Sequence, residues 1–448
     1  MSERLLSVGL DVGTTSTQMI LSELTVENRA SSFAVPEMEI AERKIVYRSP
    51  VHFTPLLDEA RMDAEALRGI VEEEYRQAGI AREDVDTGAI IITGETSRKE
   101  NAKAVLEALS HLAGDFVVAT AGPDLESVLA AKGAGVVDYS EKTGKTVLHM
   151  DIGGGTSNLA LIREGKILDT GCLNVGGRLL KFDGDGAVTY VSPVLRELCG
   201  LQVGEKPEGS QLEAIAQTLA QALEMAAGLR EKTPLLEVLT TAETGRAWLP
   251  PEGEVTVSFS GGVADCIENV HPALAFGDIG PLLGQAIKDS RLCQGAYVLG
   301  SETIRATVIG AGCHSAQLSG STVFSQNVRF PLKNIPVVNV DDLQAIGEIL
   351  ERQEGMAVLA MPGIRAPSYQ EVAAMAETIA GQAGEEILIC LEQDMAKALG
   401  QALAARLPKE RAILCIDRVK VGEGSFLDVG APVGGAFPVV VKTLVLGR

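Results

Sequence analysis

The chain has 448 residues, enough for two or three domains. Apolar residues make up 46%, too many for a disordered chain, and 39 Lys plus Arg against 60 Asp plus Glu leave a net charge of −21. That charge argues against a nucleic-acid backbone or an anionic membrane as partner. No apolar run reaches the roughly 18 residues that span a bilayer. Glu3 and Arg4, followed by a strand broken at Asp11, do not read as a signal peptide. The seven cysteines are widely spaced and form no C-x-x-C pair, which argues against a zinc site or a disulfide framework. A reducing cytoplasm is the expected location.

Residues 6–10 read as a short strand. Asp11-Val12-Gly13-Thr14-Thr15-Ser16-Thr17 follows, then a second apolar run at residues 19–21. A weaker strand is expected around Ile40, Ile45, Val46 and Tyr47. Leu67, Ile70, Val71 and Tyr75 at helical spacing predict a helix over residues 63–77, stopped at Gly79. Residues 89–94 form a buried strand, 101–112 an amphipathic helix and 115–119 another strand. The alternation predicts parallel α/β pairing. Residues 123–135 follow, with Pro123 in the first turn, Gly133 near the end, and small residues Ala130, Ala131 and Ala134. This helix leads to the strand at 146–150 and is a candidate hinge.

That strand ends in Asp151-Ile152-Gly153-Gly154-Gly155-Thr156-Ser157-Asn158. Glycines accept positive φ and let a backbone approach a ligand, and bared N–H groups make an anion nest. An aspartate beside such a nest suits a bridging cation such as hydrated Mg²⁺. Alone, the segment is equally well a tight turn closed by its aspartate. The first loop repeats the device: apolar, Asp, β-branched apolar, Gly, then small hydroxylated residues, then strand. Neither is a Walker loop, because no Lys follows the glycines and a strand comes next. Two such hairpins suit two similar half-domains gripping one polyphosphate.

Beyond Asn158, strands are expected at 160–162 and 167–169 about a Glu164-Gly165 turn. A hairpin over 176–190 turns at Asp183-Gly184-Asp185-Gly186, and a strong helix runs over 211–229. Residues 255–260 form a strand ending in Ser260-Gly261-Gly262. That turn either presses backbone against a base or ribose or simply leads into a helix. A second small-residue helix covers 303–312. The tail from residue 330 alternates strands (335–340, 357–360, 386–391, 412–417, 439–446) with helices (342–352, 369–381, 394–407). It reads as a third α/β unit on the second lobe.

The order of these elements resembles the actin, sugar-kinase and heat-shock-chaperone ATPase superfamily. Residues 11–17 match its phosphate-1 element, 151–157 its phosphate-2 element and 260–263 its adenosine element. Residues 123–135 and 304–312 match its connecting helices. The implied fold is α/β, actin-like, with two ribonuclease-H-like lobes around a nucleotide cleft and an additional C-terminal α/β unit. The expected domains are residues 1–144, 145–329 and 330–448.

A closer likeness runs nearly end to end. Residues 7–18, 92–102, 121–127, 415–421 and 428–433 resemble the ethanolamine ammonia-lyase reactivating factor family, the EutA-type proteins of ethanolamine utilisation. The resemblance implies a chaperone-like factor that uses ATP and Mg²⁺ to release adenosyl-lacking cobalamin from ethanolamine ammonia-lyase, so that intact adenosylcobalamin rebinds. By position, Asp11 and Asp151 would hold hydrated Mg²⁺. Gly13, Thr14, Thr15, Gly153, Gly154, Gly155 and Thr156 would cradle phosphates, and Gly261 and Gly262 would meet adenosine. The heat-shock chaperones place an acid just before the proline of the first connecting helix, where this chain has Gly122. Asp124 or Glu126 is the substitute for positioning water, Asp124 being equally a helix cap. Slow hydrolysis is therefore expected. The location implied is cytoplasmic, with a bacterial microcompartment as an alternative. Two rival functions remain: a small-molecule kinase of the same fold, for which no segment clearly supplies a base, and a filament-forming relative.

Overall fold

The structure is a computed structural model. It describes residues 3–13, 16–28, 38–58, 61–93, 101, 105, 109, 118–120, 123–241, 248–314, 316–319, 323–351, 355–382, 384, 386–419, 421, 425–430, 432 and 437–443. Thr14, Thr15, Gly122 and most of the expected 101–112 helix lie outside the described residues.

The first lobe is built on β1 (Glu3–Val12), β2 (Ser16–Asn28), β3 (Met38–Arg48), β4 (His52–Phe53), β5 (Thr87–Ile92) and β6 (Val118–Thr120). The sheet order is β3-β2-β1-β5-β6, with β4 on the end of β2. β1, β2 and β3 pair antiparallel, whereas β1, β5 and β6 run parallel. Alternation sends Val8, Leu10, Ile90 and Ile92 to one face and Leu5, Leu24, Ala89 and Ile91 to the other. The helix Ala64–Ala78 covers the first face with Leu67, Val71 and Tyr75. Asp63 caps it by accepting the Ala66 N–H, and Gly79 ends it at φ 67°.

The second lobe repeats this plan strand for strand. It uses β7 (Val147–Ile152), β8 (Ser157–Arg163) and β9 (Lys166–Leu173). The hairpin β10 (Leu180–Phe182) and β11 (Val188–Val191) intervenes before β12 (Thr256–Ser260) and β13 (Tyr297–Leu299). The order is β13-β12-β7-β8-β9, again three antiparallel strands followed by two parallel ones. This topology, twice over, is that of the actin-like ATPase fold. The helix Gly209–Ala226 packs Leu212, Leu219 and Leu223 into the second core, beside Ile279, Leu283 and Ile287.

Two helices join the lobes. Pro123–Gly133 lies against β8 and β9, and Ala306–His314 lies against β1, β2 and β5. The two cross each other at Gly133 and Gly310. A Cβ at Gly133 would overlap the Ala306 carbonyl, and one at Gly310 would overlap the Leu129 carbonyl. Gly312 meets Gly9 of β1 in the same way. The small residues are thus a condition of the crossing. The first connecting helix does not run straight into β7. Gly135, at φ 74°, turns the chain into a further helix, Val136–Thr143.

The third sheet comprises β14 (Ala316–Leu318), β15 (Phe324–Gln326), β16 (Leu332–Asn339), β17 (Val358–Met361), β18 (Glu386–Leu391), β19 (Ala412–Asp417), β20 (Ser425–Val429) and β21 (Pro438–Thr443). Its order is β14-β21-β20-β16-β17-β18-β19-β15. β16 to β19 are parallel, with the helices Tyr369–Ala380 and Ala396–Ala404 on one face. This sheet already includes β14 and β15, ahead of residue 330. Where the sequence places the tail on the second lobe, β14 lies against β3 of the first. The cause is connectivity: β14 follows the helix that lies on the first sheet, and Arg43 Nε of β3 donates to the Cys313 carbonyl (2.9 Å).

Candidate functional site

The two acidic hairpins share one backbone bond. The Gly13 N–H donates to the Ser16 carbonyl (2.9 Å), and the Gly153 N–H to the Thr156 carbonyl (2.9 Å). None of Gly13, Gly153, Gly154 and Gly155 has a positive φ. The Arg178 stem lies beside Gly154, 3.3–3.5 Å from where a Cβ would stand. A Cβ at Gly155 would meet nothing within 4 Å. The segment Gly176-Gly177-Arg178 braces this loop from behind: the Gly177 N–H donates to the Gly153 carbonyl (3.1 Å) and the Arg178 N–H to the Gly154 carbonyl (2.6 Å). Thr54 supports the first loop, its Oγ1 donating to the Gly13 carbonyl (2.7 Å).

Each aspartate takes a hydroxyl from the end of the adjoining parallel strand. Thr93 Oγ1 donates to Asp11 Oδ1 (2.8 Å). Ser260 Oγ donates to Asp151 Oδ1, and Thr307 Oγ1 of the second connecting helix reaches Asp151 Oδ2 (3.3 Å). Burial pushes the Asp11 carboxyl up to about 7, against the Thr93 bond, and the nearby Asp151 charge adds to the rise. Burial also raises Asp151, against its two hydroxyl bonds. The structure therefore brings together two acids that are far apart in the chain. Two buried carboxylates close enough for the charge of Asp151 to raise Asp11 are a donor set suited to a hard divalent cation, which would neutralise both.

Behind Asp151 the network continues inward. His149 Nε2 lies 3.0 Å from Ser260 Oγ, and its Nδ1 lies 3.1 Å from Ser258 Oγ. Burial drops the imidazole to about 3, so it is neutral. Because the Ser260 hydroxyl gives its proton to Asp151, its lone pair accepts from Nε2–H. Nδ1 then accepts from Ser258.

The two candidate water-positioning acids separate. Asp124 is exposed and accepts from Thr170 Oγ1 of β9. Glu126 is buried and accepts from Asn158 Nδ2 (2.8 Å), the residue paired with Asp151 across the hairpin. Glu126 is thus bonded to the cross-strand neighbour of Asp151, whereas Asp124 is bonded to β9. Gly261, at φ 89°, is pressed against the Ile152 backbone, and its N–H donates to the Thr303 carbonyl (3.0 Å). Gly262 has open space where a side chain would project.

Comparison with known proteins bears on all of this. The family described as ethanolamine utilisation protein EutA matches residues 3–447. The chain belongs to this family. The ethanolamine ammonia-lyase reactivase EutA of Salmonella typhimurium is 40% identical over 473 aligned positions, covering 99% of both chains. Its Escherichia coli counterpart is 39% identical with the same coverage. Among solved structures, an Aquifex aeolicus Ppx/GppA protein aligns with TM-score 0.43 and 14% identity, covering 69% of this chain and 97% of its own. The ethanolamine utilisation protein EutJ of Carboxydothermus hydrogenoformans aligns with TM-score 0.33 and 15% identity, covering 68% and 88%.

For this EutA-family chain, sequence reasoning missed Thr93, the bond from Ser260 to Asp151, Thr307, His149 and Arg178. A signal existed for the first two. Thr93-Gly94 and Ser260-Gly261 are the same hydroxyl-glycine pair in the sequence, with Thr93 directly after β5 and Ser260 at the end of β12. Arg178 had no such signal. Its Nε donates to the buried Asp278 (3.0 Å), and its stem lies beside Gly154.

Proposed function

We propose that the protein is an ATP- and Mg²⁺-dependent reactivating factor for ethanolamine ammonia-lyase. Its relatives carry the name ethanolamine ammonia-lyase reactivase. In this reading it releases cobalamin that has lost its adenosyl group, and intact adenosylcobalamin then rebinds the lyase. The observation that carries the nucleotide part is the electrostatic coupling of Asp11 to Asp151 between two matched hairpins.

Asp11 and Asp151 would hold the Mg²⁺, which neutralises phosphate charge when bound. Gly13, Gly153, Gly154, Gly155 and Thr156 offer backbone and hydroxyl donors to the phosphates, joined by Thr14 and Thr15 in the sequence. Gly262, with Gly261 behind it, faces the nucleoside. Glu126 is the better placed of the two acids to orient a water, because Asp124 is engaged with Thr170. ATP touching both lobes binds one lobe angle better than another, and only that difference moves the equilibrium. The lyase then binds one nucleotide state preferentially. Seven free cysteines fit a reducing cytoplasm.

The test mixes the protein with cyanocobalamin-blocked ethanolamine ammonia-lyase, ATP, Mg²⁺ and adenosylcobalamin, and follows deamination. Activity returns with the wild type and stays absent with a folded Asp151→Ala variant. Equal recovery with that variant overturns the assignment.

A further inference from the structure

Directly across each hairpin from its aspartate stands a buried carboxamide. Gln18 pairs with Asp11 in the β1–β2 register, and Asn158 pairs with Asp151 in the β7–β8 register. Cross-strand partners share a face of the sheet, with Cβ atoms about 5 Å apart. Both side chains are 4% exposed.

The two amides are tied down in the same way, each to a segment that joins the lobes. Asn158 Nδ2 donates to Glu126 of the first connecting helix (2.8 Å). Gln18 Nε2 donates to the Ile304 carbonyl, just ahead of the second connecting helix (3.4 Å). A carboxylate and a carbonyl only accept, so these bonds fix which end of each amide is nitrogen. The other end is then settled as well. Gln18 Oε1 and Asn158 Oδ1 are buried acceptors with no hydrogen-bond partner among the described residues.

A buried acceptor without a donor is costly, and native structures hold few of them. Here two occur at equivalent positions in two lobes, each beside an acid. Each oxygen calls for an O–H or N–H donor that the described residues do not provide. Water on a divalent cation supplies such groups, because Mg²⁺ retains much of its hydration shell. Neutral amides suit the task better than more acids. A third and fourth carboxylate beside Asp11 and Asp151 would be driven towards protonation.

We infer that Gln18 and Asn158 are positioning residues for the hydrated metal: their carbonyl oxygens receive its water protons while their amide nitrogens hold the connecting segments. Cation binding is thereby linked to both connecting segments at once. The inference rests on the nucleotide reading given above.

The experiment measures ATP affinity by titration calorimetry with Mg²⁺ and again with EDTA. Their ratio is the Mg²⁺ enhancement. Gln18→Met and Asn158→Leu remove the acceptors at similar volume. Each is expected to cut the enhancement about tenfold, as loss of an outer-sphere metal partner does elsewhere, and to leave the EDTA affinity unchanged. Gln18→Leu removes the same acceptor with a slightly smaller side chain, is expected to show the same loss, and decides the matter should Gln18→Met fail to fold. An unchanged enhancement in these variants, or equal loss with and without Mg²⁺, overturns the inference. A wild type with no enhancement would instead overturn the nucleotide reading itself.

Discussion

At the residue scale, Asp11 is held in a setting that opposes its charge. Its carboxyl is pushed up to about 7, mainly by burial, from an ordinary value of 3.8. Between those two values the folded state binds more protons than the unfolded one. Stability contributed at this position therefore falls as pH rises through that window. Asp11→Asn removes the ionisation and keeps the shape. Without metal, the variant is expected to melt above the wild type at pH 8, and the gap should close towards pH 4. Melting curves across that range check it; a gap that is constant with pH would deny the shift. The same variant should bind MgATP more weakly, the usual conflict between a functional charge and stability. Asp11 and Asp151 were legible in the sequence because their surroundings repeat. Gln18, Asn158 and His149 were not. Their significance depends on strand register and on which hydrogen bonds remain unmade, and both arise only on folding.

At the element scale, the connecting helices depend on the absence of side chains. Gly133 and Gly310 let two backbones touch where any Cβ would overlap a carbonyl. Gly310→Ala should cost about 1–3 kcal/mol through overpacking. Gly69→Ala is the matched control. Gly69 is exposed within the helix Ala64–Ala78, and a Cβ there meets nothing within 4 Å. That change should stabilise by about 0.5–1 kcal/mol through helix propensity. Urea denaturation of both variants checks the pair, and similar effects in the two would remove the packing argument. The small-residue composition of both helices was visible in the sequence, and so was the strand–helix alternation. The helix Val136–Thr143 and the strands β14, β15 and β20 were missed. β14 and β15 have three residues each and partners far along the chain, whereas β20 lies between the distant β16 and the nearby β21.

At the scale of the whole molecule, one strand plan is used twice, and a third sheet is fastened to the first lobe beside β3. Both aspartates sit at the ends of central strands, and the connecting segments touch the residues beside them through Gln18, Glu126 and Thr307. A ligand held by both hairpins therefore has a route to the relative setting of the lobes. MgATP is expected to slow amide exchange in residues 123–133 and 306–314. An equal slowing by nucleotide that lacks metal would break the link between cation and hinge.

The most direct measurement is a crystal of the protein grown with a non-hydrolysable ATP analogue and Mn²⁺, with the anomalous signal of the metal recorded. A single strong peak is predicted between the carboxylates of Asp11 and Asp151, with the phosphates held by both hairpins. A nucleotide bound to one lobe only, or a metal peak remote from either acid, would contradict the account.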